Sequence, residues 1–376
     1  MKILAIETSC DETAAAVVSK NPKENYVKVL ANVVASSLTF HAKTGGIIPD
    51  IAAREQLKFI IPVVEKAIDN SKLKIKDIDA IAVTEGPGLI GSLLIGVETA
   101  KTLGYLWKKP IIPVNHLLGH IFANFVSEKS KIKNQKSKIE FPAITLLVSG
   151  GHTDLLLMKD YNNFEWLGGT RDDAAGEAFD KIGRLLNLPY PAGPIIEKLS
   201  ERGIASRFTF PRPMIGSKDF DFSFSGLKAA VWREVNKLKR GVTPEEGLPT
   251  ARTERLEGAL AGGKLAAGPQ LKEAVIADIC ACVQKSIIEV LVRKTIRAAK
   301  KYKVKSILLG GGVACNQKLR DHLKFEIGNL KLEIKLFYPE KSLCTDNAAM
   351  IGSYACFHPE KMSWNKIIAN PELYFD

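Results

Sequence analysis

Residues 3–18 read Ile-Leu-Ala-Ile-Glu-Thr-Ser-Cys-Asp-Glu-Thr-Ala-Ala-Ala-Val-Val, with two apolar runs on either side of a polar turn. Short apolar runs bounded by turn-forming side chains are typical of buried β-strands. The stretch therefore predicts a hairpin with a polar tip. Residues 144–158, Ile-Thr-Leu-Leu-Val-Ser-Gly-Gly-His-Thr-Asp-Leu-Leu-Leu-Met, repeat the arrangement in the second half of the chain.

Two strand–helix units also recur in the same order in both halves. Their strands are predicted at residues 81–83 and 111–114 in the first half, and at residues 307–309 and 334–337 in the second. Each is followed by a segment with helical character. Three matching elements in one order indicate a duplicated α/β unit. We therefore expect two similar lobes with a cleft between them.

The duplication suggests where the lobes begin and end. We predict an N-terminal lobe over residues 1–126, completed by residues 346–376, and a C-terminal lobe over residues 141–345. Residues 127–140 hold five lysines and are interpreted as an exposed basic linker. Residues 237–270 contain six glycines, three prolines and few large apolar side chains, a composition that predicts a flexible insertion.

Composition narrows the class of protein. With 46% hydrophobic and 25% charged residues the chain is typical of globular proteins. Its first apolar run stops at Glu7, too short for a signal peptide, and no run reaches the roughly 18 apolar residues of a membrane span, so we expect a cytoplasmic protein. The six cysteines lack C-x-x-C spacing, which favours free thiols. The net charge of +12 favours a polyanionic partner such as nucleic acid.

Two histidines have the spacing of a metal clamp. His116 and His120 are four residues apart, so on a helix their imidazoles lie on one face and can share an ion. Asp346 opens the corresponding helix of the second half and would face them across the cleft. Two imidazoles and a carboxylate predict an open metal site, the alternative being two histidines packed without a metal. Leu117 stands where a zinc peptidase of the H-E-x-x-H type needs glutamate, which disfavours peptidase activity.

Glycine-rich turns follow two of the predicted strands, at residues 149–152 and 310–312. Glycine allows backbone N–H groups to approach a phosphate or a base closely, so both turns suit a nucleotide. A merely tight turn is the alternative. Neither turn matches a P-loop or the dinucleotide-binding G-x-G-x-x-G pattern, which disfavours P-loop chemistry and hydride transfer.

An acidic run follows the second hairpin. Asp173, Glu177 and Asp180 have the spacing of one helical face, and the small residues between them indicate close packing. Asp180 would then be available to a ribose hydroxyl, whereas the alternative is a solvated surface. Gly193 lies between two prolines in a rigid turn with either a structural or a ligand-contacting purpose.

Seven motifs occur in order along the chain: residues 1–13 (Met-Lys-Ile-Leu-Ala-Ile-Glu-Thr-Ser-Cys-Asp-Glu-Thr), 85–89 (Glu-Gly-Pro-Gly-Leu), 115–120 (Asn-His-Leu-Leu-Gly-His), 148–152 (Val-Ser-Gly-Gly-His), 173–180 (Asp-Ala-Ala-Gly-Glu-Ala-Phe-Asp), 221–226 (Asp-Phe-Ser-Phe-Ser-Gly) and 310–316 (Gly-Gly-Gly-Val-Ala-Cys-Asn). This series resembles the TsaD/Gcp family, the transferases of tRNA threonylcarbamoyladenosine (t6A) synthesis that were once described as O-sialoglycoprotein endopeptidases. The resemblance covers nearly the whole chain, except the basic linker and the insertion.

The resemblance implies an actin/Hsp70-like fold of two duplicated lobes. It also implies that His116, His120 and Asp346 bind one metal ion per subunit, iron(II) in most members and zinc in some preparations. By the same resemblance, the residues expected to hold a threonylcarbamoyl-adenylate are Val148, Ser149, Gly150, Gly151, His152, Asp180, Gly193, Glu197 and Asn316.

The implied reaction is transfer of a threonylcarbamoyl group from its adenylate to N6 of the adenosine beside the anticodon (position 37), with release of AMP. The substrates would be tRNAs that read codons starting with A. Asp11 and Glu12, at the tip of the first hairpin, are the carboxylates expected to accept the amine proton. Their alternative role is hydrogen bonding within the hairpin tip.

The implied partners are tRNA, an enzyme that makes the adenylate, a degenerate TsaB-like paralogue and a small TsaE-like ATPase. No association with a membrane is expected. Two other functions stay open on the sequence. One is an ATP-hydrolysing or sugar-phosphorylating member of the same superfamily, which would not explain the two histidines and the aspartate. The other is a non-catalytic nucleotide-binding module, which has no need for an open metal site.

Overall fold

A computed structural model describes residues 1–127, 139–240 and 271–375, and the side chains of all of these except residues 42–44. The five lysines of the predicted linker and residues 241–270 of the predicted insertion lie outside the described residues. Within the described ranges, no helix combines the length and the apolar character that crossing a membrane requires.

The first sheet has six strands: β1 (Lys2–Glu7), β2 (Glu12–Ser19), β3 (Val27–Ser36), β4 (Ala80–Gly86), β5 (Ile111–Asn115) and β6 (Val126–Ser127). β1 and β2 form the predicted antiparallel hairpin, with Ile6 opposite Ala15. β4 pairs parallel to β1, and β5 pairs parallel to β4. The strand order is β5-β4-β1-β2-β3-β6.

The second sheet has five strands: β7 (Ala143–Val148), β8 (Thr153–Met158), β9 (Phe164–Gly169), β10 (Ser306–Gly310) and β11 (Lys335–Phe337). Its order is β11-β10-β7-β8-β9, which repeats the order β5-β4-β1-β2-β3 position by position. The antiparallel and parallel pairings also correspond. The predicted duplication of an α/β unit is therefore confirmed.

The helices of the first half are α1 (Leu38–Thr44), α2 (Pro49–Ser71), α3 (Ile90–Trp107) and α4 (His116–Phe122). Those that follow are α5 (Ala175–Leu185), α6 (Gly193–Ser200), α7 (Ser225–Lys239), α8 (Glu273–Lys301), α9 (Gln317–Asn329), α10 (Lys341–Cys344) and α11 (Ala348–Phe357). α7 includes the first three residues of the predicted insertion. The helix expected directly after the glycines at 310–312 begins only at Gln317, because a 3-10 turn over Gly312–Cys315 comes first.

Two helices lie between the sheets. α11 packs on the first sheet, where Gly352 is so close to β2 that a Cβ atom would lie 2.6 Å from Val18 Cγ2. α4 packs on the second sheet through a cluster that includes Leu117 and Ile121. α4 and α11 also pack on each other. The packing of α11 supports assigning the segment after residue 345 to the first lobe, although the lobe boundaries stay a prediction.

Phe122 holds this central layer together. It is fully buried at the end of α4, with its ring centroid 5.1–5.3 Å from the rings of Phe125, Tyr354 and Phe357. Its side chain therefore links α4 to α11. Any change in its packing should affect the helix that carries both histidines.

We predict that Phe122→Ala lowers the free energy of unfolding by about 3–5 kcal/mol, because it leaves a cavity between α4 and α11. The matched control is Phe325→Ala on α9, whose side chain is 64% exposed and whose loss should change stability by less than about 0.5 kcal/mol. Urea unfolding of both variants tests this. Equal stability of the two variants would contradict the packing described.

Candidate functional site

The start of α4 fixes the two histidines. Asn115 is the N-cap residue, and its Oδ1 accepts hydrogen bonds from the backbone N–H groups of Leu117 (2.8 Å) and Leu118 (3.3 Å). Such a cap satisfies amides that the first helical turn leaves unpaired. His116 and His120 then lie one turn apart, with their ring centroids 4.7 Å apart.

Asp346 completes the predicted group of ligands from the loop between α10 and α11. Its Oδ1 lies 3.2 Å from His120 Nε2 and 3.6 Å from His116 Nε2. The potential ligand atoms of the three residues all lie within 4.8 Å of one another, and both histidines are buried. The structure thus brings together the three residues that the sequence analysis selected.

Glu7, at the end of β1, is a functional residue that the sequence analysis missed. Its buried Oε2 lies 3.1 Å from His116 Nδ1 and accepts a hydrogen bond from the Thr84 hydroxyl. Ser9 Oγ also lies 3.1 Å from His116 Nδ1. A carboxylate on one ring nitrogen orients the imidazole and leaves the other nitrogen for a metal. The one available signal was an acidic residue directly following the apolar run of β1.

The charges of this site compensate one another. Burial acts to lower the pKa of His116, but the attraction of Glu7 and Asp346 raises it to about 9. Burial acts to raise the pKa of Asp346, but the charge of His116 and a hydrogen bond from His120 bring it down to about 2. The same attraction by His116 outweighs burial and lowers the pKa of Glu7. Both carboxylates are therefore charged at neutral pH.

The donor set fits a divalent transition metal. Two imidazole nitrogens and one carboxylate oxygen, with coordination positions left for other ligands, suit iron(II), and zinc also accepts these donors. His120 Nδ1 is buried without a hydrogen-bond partner in the part of the chain that the structure describes. Three potential ligand atoms within 4.8 Å of one another, one of them on a charged carboxylate, are what a cation would require.

The first predicted adenylate-binding turn lies at the tip of the β7–β8 hairpin, after Val148. Ser149 N donates to His152 O (2.9 Å), and His152 N donates to Ser149 Oγ (3.1 Å). Gly150 and Gly151 are exposed, and a Cβ atom on either would meet no described atom within 4 Å. Their backbone is thus open to a ligand.

The second glycine-rich turn packs directly on the first. Gly311 has φ +87°, and a Cβ atom there would lie 2.4 Å from Val148 O. A side chain at this position would therefore be strained by its backbone and would collide with β7. The two predicted turns form one continuous surface.

Asp180 and Gly193 lie together where α5 meets the start of α6. Asp180 Oδ1 accepts a hydrogen bond from Ala192 N (2.7 Å), and burial raises the pKa of this carboxyl. Asp180 thus holds the turn at the start of α6, and its predicted contact with a ribose stays a prediction. A Cβ atom on Gly193 would meet nothing within 4 Å among the described residues, so packing does not require glycine there.

Glu197 and Asn316 meet at the start of α9. Glu197 Oε1 accepts from Gln317 N (2.6 Å), and Asn316 Oδ1 caps the helix by accepting from Leu319 N (3.0 Å). Asn316 Nδ2 donates to Gln284 Oε1 (2.8 Å). Both side chains already have structural partners, and their predicted ligand contacts stay untested.

Asp11 and Glu12 lie at the tip of the β1–β2 hairpin, as predicted. Burial, with the nearby carboxylates of Asp346 and Asp11, raises the pKa of Glu12 to about 10. Glu12 is therefore protonated at neutral pH and suits a hydrogen-bond donor better than a base.

Comparison with known proteins agrees with this geometry. A family model described as tRNA N6-adenosine threonylcarbamoyltransferase (TsaD) matches residues 28–353. The chain belongs to this family. A protein of that name from Syntrophomonas wolfei subsp. wolfei is 45% identical over 98% of this chain and 95% of its own length, and one from Listeria welshimeri is 44% identical over 100% and 96%. The family resemblance of the seven motifs is thus confirmed.

The fold comparison is consistent with that membership. The crystal structure of full-length HypF, in its phosphate- and nucleotide-bound form, superposes with a TM-score of 0.55 at 12% identity, covering 96% of this chain and 47% of that one. At this identity the likeness concerns the fold alone. Together with the repeated sheet order, it confirms the predicted actin/Hsp70-like architecture.

We predict that Glu7→Gln weakens metal binding by about 10- to 100-fold, because His116 loses the charge that orients it. The matched control is Glu98→Gln on α3, where the carboxylate is exposed and bonds only to Lys101 among the described residues. His120→Ala, which removes a ligand, should abolish stoichiometric binding. Equilibrium dialysis against a divalent metal measures all three. Unchanged affinity in Glu7→Gln would exclude the orienting role.

Proposed function

We propose that the chain transfers a threonylcarbamoyl group from threonylcarbamoyl-AMP to N6 of adenosine 37, beside the anticodon, in tRNAs that read codons starting with A. AMP is the leaving product, and the modified nucleoside is t6A. The names of the family and of the curated relatives support this transferase activity. The observation that carries it for this chain is the convergence of His116, His120 and Asp346.

This convergence discriminates among the alternatives. An ATP-hydrolysing or sugar-phosphorylating member of the superfamily would use the glycine-rich turns but has no need for two buried histidines facing a carboxylate. A non-catalytic nucleotide-binding module would not need them either. Glu7, which holds His116 from behind, adds a supporting residue that a vestigial site would not require.

The chemistry asks the chain to activate a carbonyl and to hold it beside a weak nucleophile. The N6 lone pair is delocalised into the purine, so orientation matters more than intrinsic reactivity. A metal bound by His116, His120 and Asp346 would supply a Lewis acid for a carbonyl or phosphoryl oxygen. We propose iron(II) as that metal, one ion per subunit, with zinc as the alternative.

Residues of the chain would perform the remaining steps. The open backbone at Gly150 and Gly151 is suited to hydrogen bonds with the phosphate, whose charge grows as AMP departs. A bond forms between N6 and the carbamoyl carbon while the bond from that carbon to the phosphate oxygen breaks. Asp11 would accept the proton that N6 releases. Asp180, Gly193, Glu197 and Asn316 would form the wall around the adenylate.

The reaction requires partners that supply its substrates. We propose tRNA, an adenylate-forming synthase, a TsaB-like paralogue and a small TsaE-like ATPase, acting in the cytoplasm. For the paralogue, α2 and α3 offer neighbouring exposed apolar side chains, Leu57 and Ile61 on the first helix and Ile90 and Leu94 on the second. A related chain would present equivalent helices, which could pack against these across a pseudo-twofold axis.

The test is incorporation of labelled threonine into unmodified tRNA by the purified chain with its partners, bicarbonate, ATP and metal. We expect labelling that disappears when adenosine 37 is replaced by guanosine, since guanosine has no N6 amine. Asp346→Ala should abolish labelling while tRNA binding is largely retained. The matched control is Asp69→Ala, an exposed residue of α2.

Two results would contradict this function. One is the absence of labelling with every partner and metal present, and the other is undiminished labelling of the guanosine tRNA. If the isolated chain hydrolysed ATP and gave either of these results, the ATPase alternative would replace the transferase.

A further inference from the structure

The segment over residues 370–375 contacts both sheets. Asn370 N donates to Glu85 O (2.7 Å) at the end of β4. Asn115 Nδ2, at the start of α4, donates to Tyr374 O (2.6 Å). The Tyr374 hydroxyl then donates to Asp154 Oδ1 on β8 of the second sheet. One short segment thus joins the helix of the two histidines to the hairpin of the first glycine-rich turn.

Gly86 shows how closely this segment is seated. A Cβ atom at Gly86 would lie 1.7 Å from Asn370 O, so the end of β4 accommodates the segment only without a side chain. Tyr374 and Phe375 also pack against the core cluster beneath α4. The position of Tyr374 is therefore set by backbone packing on one side and by apolar contacts on the other.

Asp154 is the acceptor at the other end of this connection. It is buried in a strand of apolar residues, and its Oδ1 accepts from both Tyr374 and Trp166 Nε1 (3.1 Å). Its Oδ2 has no hydrogen-bond partner among the described residues and lies 3.9 Å from His152 Nδ1. Because Oδ1 is taken by two donors, Oδ2 is the oxygen left to act on His152, at a distance longer than a hydrogen bond.

His152 is the last residue of the turn that we propose for the adenylate. Its Nδ1 is the ring nitrogen that lies towards the Asp154 carboxylate, and the side chain is partly buried. A neutral imidazole carries one N–H, and a carboxylate oxygen near Nδ1 favours the tautomer with the proton on that nitrogen. Nε2 is then left as an acceptor for a ligand. The Tyr374 ring lies beside this imidazole, with centroids 6.2 Å apart.

We propose that Tyr374 is a positioning residue for the transfer reaction, which acts through Asp154 to orient His152 at the adenylate-binding turn. Its hydroxyl fixes the Asp154 carboxylate, and its backbone carbonyl fixes the distance to α4. The expected effect on the rate of transfer rests on the proposed function, whereas the expected effect on the orientation of His152 does not.

Tyr374→Phe tests the proposal because it removes the hydroxyl and keeps the ring and the carbonyl. We expect the kcat for threonine incorporation to fall by about 10-fold or more, with the KM for tRNA unchanged. Tyr26→Phe is the matched control, since it removes a hydroxyl that bonds to Glu24 away from the site. If Tyr374 acts through Asp154, adding Tyr374→Phe to Asp154→Asn should cause no further loss.

Nuclear magnetic resonance gives a readout independent of activity. The ring Cε1–Hε1 signal of His152, assigned with His152→Gln, should shift in Tyr374→Phe and not in Tyr26→Phe, while the signal of His322 on α9 stays in place. A kcat within about two-fold of the wild type, or an unmoved His152 signal, overturns the proposal. If the wild-type chain transfers nothing, the proposed function fails, and the His152 signal alone decides whether Tyr374 orients that ring.

Discussion

The ring of His116 is held between two carboxylates, with Glu7 at Nδ1 and Asp346 near Nε2. Burying a charge is costly unless an opposite charge and hydrogen bonds compensate it, so these groups can be buried only together. Glu7 ends the first strand, His116 opens α4, and Asp346 precedes α11. The compensation therefore requires β1, α4 and the loop before α11 to meet at one point.

The duplicated architecture makes this meeting possible. In each half three neighbouring strands pair parallel, so their carboxyl ends meet at one edge of the sheet. α4 and α11 lie between the two sheets. The first half contributes Glu7, His116 and His120 at this edge, and Asp346 comes from the second half. The second half contributes open backbone, at Gly150 and Gly151, where a side chain would otherwise cover the amides. The predicted glycine-rich turns lie beside the histidines, since a Cβ atom on Gly310 would be 3.0 Å from His120 O.

The sequence predicted what depends on periodicity and spacing. The hairpins, the repeated order and the group of His116, His120 and Asp346 follow from apolar runs and from residues at matching places in two halves. Glu7 was missed because its partner is more than a hundred residues away, and only the folded chain shows that β1 ends behind His116. Tyr374 was missed for the same reason, since no local pattern indicates that its hydroxyl reaches β8.

The sequence also could not predict side-chain roles that depend on hydrogen bonds made in the folded chain. Asn316 and Glu197 were selected as ligand contacts, yet both bond to the first turn of α9. Contact of the same atoms with a ligand depends on the room and the water around them. The spacing of residues in the sequence does not encode either. Glu12 was selected as a base, and its pKa is raised by burial and by the carboxylates of Asp346, Asp11 and Glu7, two of which come from distant segments.

X-ray absorption at the edge of the bound metal tests the central claim most directly, because it counts the ligands. For the metal-loaded wild-type chain we expect imidazole nitrogen from two histidines and carboxylate oxygen at about 2.0–2.2 Å, with no sulfur. A variant that lacks the Asp346 carboxylate but still binds metal should keep both imidazoles. Sulfur scattering at about 2.3 Å, or fewer than two imidazoles in the wild type, would contradict the account.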